Sequence, residues 1–214
     1  MTGIGHRSQP LIAAATGLDV PSRSPGDLAL SREALAAVLR ATETIAATHP
    51  ADAAAVALLS VCAVRVGELV SLTVSSVATS AGHTVILFRR KGGKTDRLPV
   101  PPRVRALLDP LLDGRAPGEP LFVREDGRPF DRWRATTALR RAATAAGVDH
   151  ARLTPHTARA TAATAALDAG VPLADVQELL GHASPVTTQR YNRGRKKLDG
   201  HAAYRMAALL AGGT

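Results

Sequence analysis

The stretch Thr154–Tyr191 begins with the sequence TPHTAR, continues to LLGH at 179–182, and ends on a tyrosine nine residues after that motif. A histidine and an arginine three residues apart share one face of a helix, so His156 and Arg159 can converge on a single anion. A phosphate group suits that face, because the planar fork of an arginine can clamp two phosphate oxygens. The stretch is therefore typical of a site that breaks a phosphodiester bond.

Two more cations precede this stretch, Arg65 in the segment AVRVGEL and Lys91 in RKGGK. Attack on a phosphodiester places extra negative charge on the non-bridging oxygens, which fixed cations stabilise. Arg65 and Arg159 suit that task, whereas Lys91 is a compact donor suited to act as general acid.

The remaining groups of the pattern are a phenol and two imidazoles. Tyr191 becomes a competent nucleophile when neighbouring cations favour the phenolate and a base takes its proton. His156 is placed to relay that proton, and His182 to donate a hydrogen bond to a phosphate oxygen. This chemistry needs no metal.

Each of these residues, taken alone, also has an ordinary structural interpretation. Arg65 and Glu68 have the spacing of a surface ion pair on a helix. The others could be a solvated hairpin lysine, two histidines near helix ends and a tyrosine at the edge of the core. It is the ordered combination that favours a catalytic site.

A metal or nucleotide cofactor is not indicated. The two histidines of the pattern lack a nearby thiol, because the single cysteine, Cys62, lies far upstream, and no carboxylate follows at a ligand-like spacing. Gly92 and Gly93 resemble a phosphate-binding turn, but the chain has no Walker-type motif. We predict that the protein uses no cofactor.

Composition points to a polyanionic partner. The chain has 214 residues, 27 Lys and Arg against 18 Asp and Glu, and a formal charge of +9. An arginine-rich composition by itself would also produce that charge. Aromatic residues make up only 3 %, which disfavours single-strand binding by base stacking and favours double-stranded DNA.

A lone cysteine and no signal peptide predict a cytoplasmic, nucleoid-associated protein, and the apolar run 53–64 is too short to span a bilayer.

The pattern along the chain predicts one mostly α-helical domain with a small antiparallel β-hairpin. Residues 1–26 are rich in Gly, Pro and Ser and are expected to be a flexible tail or linker, with the catalytic domain at 27–214. Predicted helices run from Ser31 to about His49, from Ala51, from Pro101 to about Leu112, from Asp131 to Ala146, from Pro155 with breaks at 170–172 and Gly181, and from Leu198 to Leu210. Predicted strands at 85–88 and 97–100 flank a turn at 91–96.

These motifs resemble the tyrosine recombinase family, also called phage integrases, from about Leu28 to the C-terminus. Matching segments are VRVGEL around Arg65, the hairpin segment 91–100, TPHTAR, QELLGH at 177–182 and TTQRY at 187–191. The resemblance implies the catalytic-domain fold of that family and six catalytic residues, Arg65, Lys91, His156, Arg159, His182 and the nucleophile Tyr191. Glu68 is expected to support Arg65, and the candidate DNA contacts are Arg89, Arg90, Lys94, Arg97 and Arg190.

The resemblance also implies an activity. Tyr191 would attack a DNA phosphate to leave a 3′-phosphotyrosine and a free 5′-hydroxyl, which then attacks a partner strand. Four protomers would act as a tetramer on two duplexes, joined through the C-terminal segment 198–212. Two alternatives stay open: nicking and religation of one strand, as in type IB topoisomerases, and a catalytically inactive DNA-binding remnant.

Three departures from the family pattern stand out. Ala160 follows Arg159 where many members have His, which we expect to lower the rate. Ala63 and Val64 replace a common Gly-Leu, a change that we expect packing to absorb. The family's N-terminal helical domain of about a hundred residues is absent from the sequence or not included. We therefore expect weak, strongly salt-dependent DNA binding.

Overall fold

The computed structural model describes residues 30–89, 95–151, 153–181 and 188. Its elements, in chain order, are α1 (Arg32–Ala46), α2 (Pro50–Ser60), α3 (Val66–Leu69), a 3₁₀ turn (Val74–Ser76), β1 (Val77–Ser80), β2 (His83–Arg89), β3 (Thr95–Pro99), α4 (Pro102–Leu112), α5 (Arg132–Ala145), α6 (Pro155–Asp168) and α7 (Leu173–Leu180). The predicted class, mostly α-helical with a small antiparallel sheet, is confirmed.

Helix α2 forms the centre of the core. Every residue from Asp52 to Ser60 is buried, and the run is apolar on all faces, as expected of a helix surrounded by other elements. It packs against α1, α4 and α5 on its sides and against α6 near its end. Cys62, just beyond α2, is buried in the same core.

Asp52 is the one charged residue within this apolar helix, and α5 neutralises it. Its carboxylate is 1 % exposed and forms ion pairs with Arg134 at 2.6 Å and with Arg141. Burying a carboxylate is costly unless it is paired, so these two arginines fix α5 against the start of α2.

The sheet has three strands in the order β1-β2-β3, all antiparallel. The predicted hairpin between β2 and β3 is confirmed, but Thr95 and Asp96 belong to β3, where they pair with Arg89 and Phe88, and not to the turn. The sequence prediction also missed β1. This strand is only four residues long and joins β2 through Ala81 and Gly82, both with positive φ.

Helices α6 and α7 form the part of the fold that carries the diagnostic motifs. Thr154 caps α6 reciprocally with Thr157, and a second apolar cluster joins α6 and α7 to Ala63 and Leu35. The predicted breaks are confirmed: Gly170 has a φ of 86°, and Gly181, with a φ of 52°, ends α7 in the left-handed conformation.

Helix bounds agree with the sequence predictions to within a few residues. Pro50 starts α2 as its first residue, and α1 ends earlier than expected, at Ala46. The predicted helix 198–210 and the tail 1–26 lie outside the described residues. Within the described ranges no helix combines the length and the apolar character needed to cross a bilayer.

Candidate active site

The site begins where the chain leaves α2. Ala63 adopts a left-handed conformation, with a φ of 50°, and is fully buried. The turn carries the chain into Arg65, which precedes α3 in an extended conformation. The Ala63 carbonyl accepts a hydrogen bond from the guanidinium of Arg159, 96 residues later in the sequence.

Arg65 is held from two directions. Its Nη1 donates to Glu68 Oε1 at 2.8 Å, while Glu68 Oε2 accepts from the Arg65 backbone amide at 3.0 Å. Its Nη2 donates to the carbonyl of Gly181 at 3.0 Å. The i,i+3 ion pair suggested by the sequence is therefore present, and a contact across 116 residues adds to it.

Arg159 is nearly inaccessible, with 6 % of its surface exposed. It lies one turn into α6, and its Nη1 and Nη2 donate to the carbonyls of Ala63 and Leu180. Hydrogen bonds from a charged donor are worth about 1.5–3 kcal/mol each. This buried cation therefore ties α6 to both the turn after α2 and the end of α7.

Consecutive carbonyls at the C-terminus of α7 bring the two arginines together. Leu180 accepts from Arg159, and Gly181 accepts from Arg65. The last carbonyls of a helix lack intrahelical partners and carry partial negative charge, so cations are stabilised there. Residue 182, the next in the chain, is the histidine of the LLGH motif.

A cavity of about 410 Å³ opens beside this cluster. Its wall is formed by the turn 62–64, Glu68, Phe88, the β3 segment 95–98, Arg159 and the end of α7 at 178–180. Of the predicted DNA contacts, Arg97 lies on this wall, where its Nη1 donates to Ser80 Oγ at 3.4 Å. The β2–β3 hairpin therefore borders the same cavity as the arginine cluster.

The predicted site residues divide into two groups. Arg65 contacts Glu68 directly and is linked to Arg159 through the adjacent carbonyls of Gly181 and Leu180. Arg97 borders the same cavity as Glu68 and Arg159. His156 is exposed in the first turn of α6, on the same helix as Arg159, and is not among the residues that line the cavity. Lys91, His182 and Tyr191, with the candidate contacts Arg90, Lys94 and Arg190, lie outside the described residues; of Arg89 the backbone alone is described, in β2.

Burial raises the pKa of the Cys62 thiol to about 12. Cys62 therefore lines the cavity as a neutral thiol and is unsuited to act as a nucleophile at neutral pH. Within the described ranges, no cluster of three or more His, Cys, Asp and Glu side chains could hold a metal ion.

The sequence reasoning missed the role of the backbone in this site. Carbonyl acceptors such as those of Leu180 and Gly181 carry no side-chain signal. The Ala63 conformation did have a signal: glycine is common there in the family, and glycine adopts positive φ without strain. We expected packing alone to absorb the alanine, but this residue takes on a backbone conformation that is costly for it.

Comparison with known proteins identifies the family. The model of the phage integrase family matches residues 29–197, so the chain belongs to that family. It is 36 % identical over 182 residues to the tyrosine recombinase XerC of Mycobacterium bovis, covering 75 % of this chain and 60 % of that protein. It is 34 % identical to the tyrosine recombinase XerD of Pseudomonas putida, covering 84 % of this chain and 62 % of that one. The chain thus spans about three fifths of the length of these relatives.

Solved structures agree on the fold. The crystal structure of the XerA recombinase matches with a TM-score of 0.64 at 27 % identity, covering 86 % of this chain and 65 % of that one. The XerH recombinase bound to palindromic difH substrate, a post-cleavage complex, matches with a TM-score of 0.70 at 23 % identity, covering 82 % and 52 %. The predicted tyrosine recombinase catalytic-domain fold is confirmed.

Proposed function

We propose that this chain is the catalytic part of a site-specific DNA strand transferase of the tyrosine type. The observation that carries this proposal is the pairing of Arg65 and Arg159 on adjacent carbonyls at the end of α7. Two cations from distant parts of the sequence are thereby fixed beside an open cavity, as stabilisation of a phosphoryl transition state requires.

The proposed reaction is a transesterification. Tyr191 Oη attacks the phosphorus of a duplex DNA strand, the P–O5′ bond breaks, and a phosphotyrosine bond to the 3′ end forms in its place. The leaving 5′ oxygen takes up a proton. A 5′-hydroxyl from a partner strand then attacks the phosphotyrosine and releases Tyr191, so one ester bond replaces another and no ATP is consumed.

The other residues take the roles that their chemistry suits. Arg65 and Arg159 stabilise charge on the non-bridging oxygens, and Glu68 holds Arg65 in position. Lys91 protonates the 5′ oxygen. His156 accepts the tyrosine proton, and His182 donates to a phosphate oxygen.

The relatives support this activity and its substrate. Matched proteins are named tyrosine recombinases, and one structural neighbour was solved with its DNA substrate after cleavage. We extend the proposal to a tetramer on two duplexes, assembled through the C-terminal segment 198–212. Arg97, on the cavity wall, and the basic residues of the β2–β3 hairpin would contact the DNA backbone.

The covalent step can be tested with a suicide duplex, in which a nick near the cleavage point lets a short fragment diffuse away and traps the adduct. We expect a protein–DNA band on denaturing electrophoresis that protease removes. The sequence contains two tyrosines, which provides a matched control. Tyr191→Phe should abolish the band, whereas Tyr204→Phe should retain it.

Three other results of the suicide-duplex assay would contradict parts of the proposal. An adduct formed by Tyr191→Phe would refute the assigned nucleophile. A band that is accompanied by relaxation of supercoiled plasmid, without strand exchange between two duplexes, would indicate topoisomerase-like religation. DNA binding without any adduct, even when an N-terminal DNA-clamping domain is fused in front, would indicate an inactive remnant.

A further inference from the structure

A second cavity, of about 200 Å³, lies at the start of α2. Arg65 and the candidate active site lie beyond the other end of this helix, which has 11 residues and therefore spans about 16 Å. Among the described residues, none lines both cavities. The second cavity is therefore separate from the candidate active site.

Apolar groups form most of the inner surface of this second cavity. They come from Pro50 and Ala51 of α2, from Leu111 of α4 and from Val123 in the loop before α5. An apolar cavity of about 150 Å³ is large enough to hold a benzene ring. The second cavity thus has room for a small organic molecule with an apolar body.

Two arginines also line this cavity, and each has a buried nitrogen without an acceptor. Arg134 pairs with Asp52 through Nη2, but its Nη1 has no hydrogen-bond partner in the described parts of the chain. Arg124 pairs with Asp131 through Nη2 at 2.5 Å, and its Nε has no partner there either. Because buried N–H groups are almost always hydrogen-bonded, two such donors at one cavity indicate an acceptor that the chain itself does not supply.

The charges around the cavity favour an anionic acceptor. The side chains of Arg124 and Arg134 are only 20 % and 13 % exposed, and Asp52 is the buried carboxylate beside them in the described ranges. Asp52 already has a second cation, Arg141, as its partner. The carboxylate of Asp131 is mostly exposed, so water and salt screen its charge. The interior at this cavity therefore holds more positive than negative charge.

The start of α2 adds to this positive potential. The N-terminus of a helix carries partial positive charge, and His49, which precedes α2, forms no side-chain hydrogen bond to its first amides. Glu125, the other carboxylate on the cavity wall, is 82 % exposed and lies 3.6 Å from His49 Nε2. Solvent screens such an exposed charge, so Glu125 opposes an anion in the cavity only weakly.

We propose that this cavity binds a small organic acid. Its carboxylate pairs with Arg124 and Arg134, whose planar guanidinium groups match the geometry of a carboxylate. Its apolar body packs against Pro50, Leu111 and Val123. The size of the cavity and the modest excess of positive charge select a monocarboxylate with one ring or a short branched chain over a nucleotide or another polyanion. The site takes no part in DNA chemistry, and the inference does not depend on the proposed function.

The proposal can be tested by nuclear magnetic resonance, with benzoate titrated into the full chain at neutral pH while the backbone amide signal of Val123 is followed. We expect a saturable shift with a dissociation constant on the order of 1 mM, as for a ligand of this size. Benzyl alcohol has the same ring without the charge, and acetate has the charge without the ring. Both should bind at least about tenfold more weakly than benzoate, because each lacks one of the two kinds of contact.

Three variants locate the site. Arg124→Gln should weaken benzoate binding about tenfold, as for loss of a charged hydrogen bond. Arg128→Gln is the matched control, since it removes an exposed arginine that pairs with Asp126 in the same loop and does not line the cavity. It should change the affinity less than about twofold. Ala51→Leu keeps every charge but fills the cavity, so it should abolish the saturable shift.

Several results would overturn the proposal. Equal affinities for benzoate and benzyl alcohol would show that the arginines bind no acid, and equal losses from Arg124→Gln and Arg128→Gln would indicate diffuse electrostatics. Shifts confined to residues around Arg65 and Arg159 would place the anion at the candidate active site. An unshifted Val123 amide at high benzoate concentration would mean that water satisfies the two donors. If Arg124→Gln fails to fold, Ala51→Leu and the two analogues still decide the question.

Discussion

Replacing Ala63 with glycine tests whether the turn after α2 stores backbone strain. A left-handed conformation costs an L-residue about 1–2 kcal/mol, which glycine does not incur. Two effects oppose this relief. Removing the fully buried methyl group costs about 0.8 kcal/mol, and the greater freedom of glycine in the unfolded chain costs about 0.5–1 kcal/mol. We therefore expect Ala63→Gly to change the free energy of unfolding by less than about 0.8 kcal/mol, since these terms largely cancel.

A matched substitution isolates the strain. Ala55 is equally buried but lies in the middle of α2, with helical backbone. Ala55→Gly incurs the same two costs without any relief, so it should destabilise by about 1.3–1.8 kcal/mol. Urea unfolding of both variants, followed by circular dichroism, measures the difference.

The reasoning fails if both substitutions destabilise the protein equally, because no strain would then be stored at Ala63. Retention of DNA cleavage by Ala63→Gly is also expected, since glycine keeps the carbonyl that accepts from Arg159. Loss of cleavage with unchanged stability would mean that the alanine methyl itself positions the site.

Three further substitutions test other parts of the structure. Arg159→Lys should slow cleavage about 100-fold or more, because one ammonium nitrogen cannot bridge the carbonyls of Ala63 and Leu180 as the guanidinium does. The rate of adduct formation in a single turnover measures this effect. A loss below about tenfold would contradict a catalytic role for Arg159. Asp52→Asn should lower the free energy of unfolding by about 2–3 kcal/mol. This is less than for a fully buried pair, because the Arg141 side chain is 35 % exposed. Denaturant unfolding measures the change, and an unchanged free energy of unfolding would show that the ion pairs do not stabilise the fold. Burial raises the pKa of Cys62 from 9.0 to about 12, so as the pH rises the thiol ionises in the unfolded chain before it does so in the folded protein. Between these two pH values the free energy of unfolding should therefore fall by up to about 1.4 kcal/mol per pH unit. Cys62→Ala should remove that part of the slope, and equal slopes in both proteins would contradict a buried neutral thiol.

Helix positions were predictable because capping residues mark the helix ends in the sequence. Asp131 caps α5 by accepting from the Arg134 amide, and the left-handed Gly147 follows its end. Thr154 and Gly181 mark α6 and α7 in the same way. Strand β1 escaped prediction because its four residues, three half-buried and one exposed, carry too little alternation to be distinguished from a loop.

Sequence spacing predicted that Arg65 and Arg159 act together, but it did not predict the geometry that links them. What joins them is a pair of backbone carbonyls at the end of α7, and any sequence that forms a helix supplies such groups.

The most direct test of the central claim is to identify the atom that carries DNA after cleavage. Suicide-substrate adducts would be trimmed with nuclease and mapped by peptide mass spectrometry. A nucleotide on Tyr191, lost in Tyr191→Phe and kept in Tyr204→Phe, is the result we predict. A nucleotide on any other residue, or cleavage that leaves no protein-bound DNA, would contradict a phosphotyrosine mechanism for this chain.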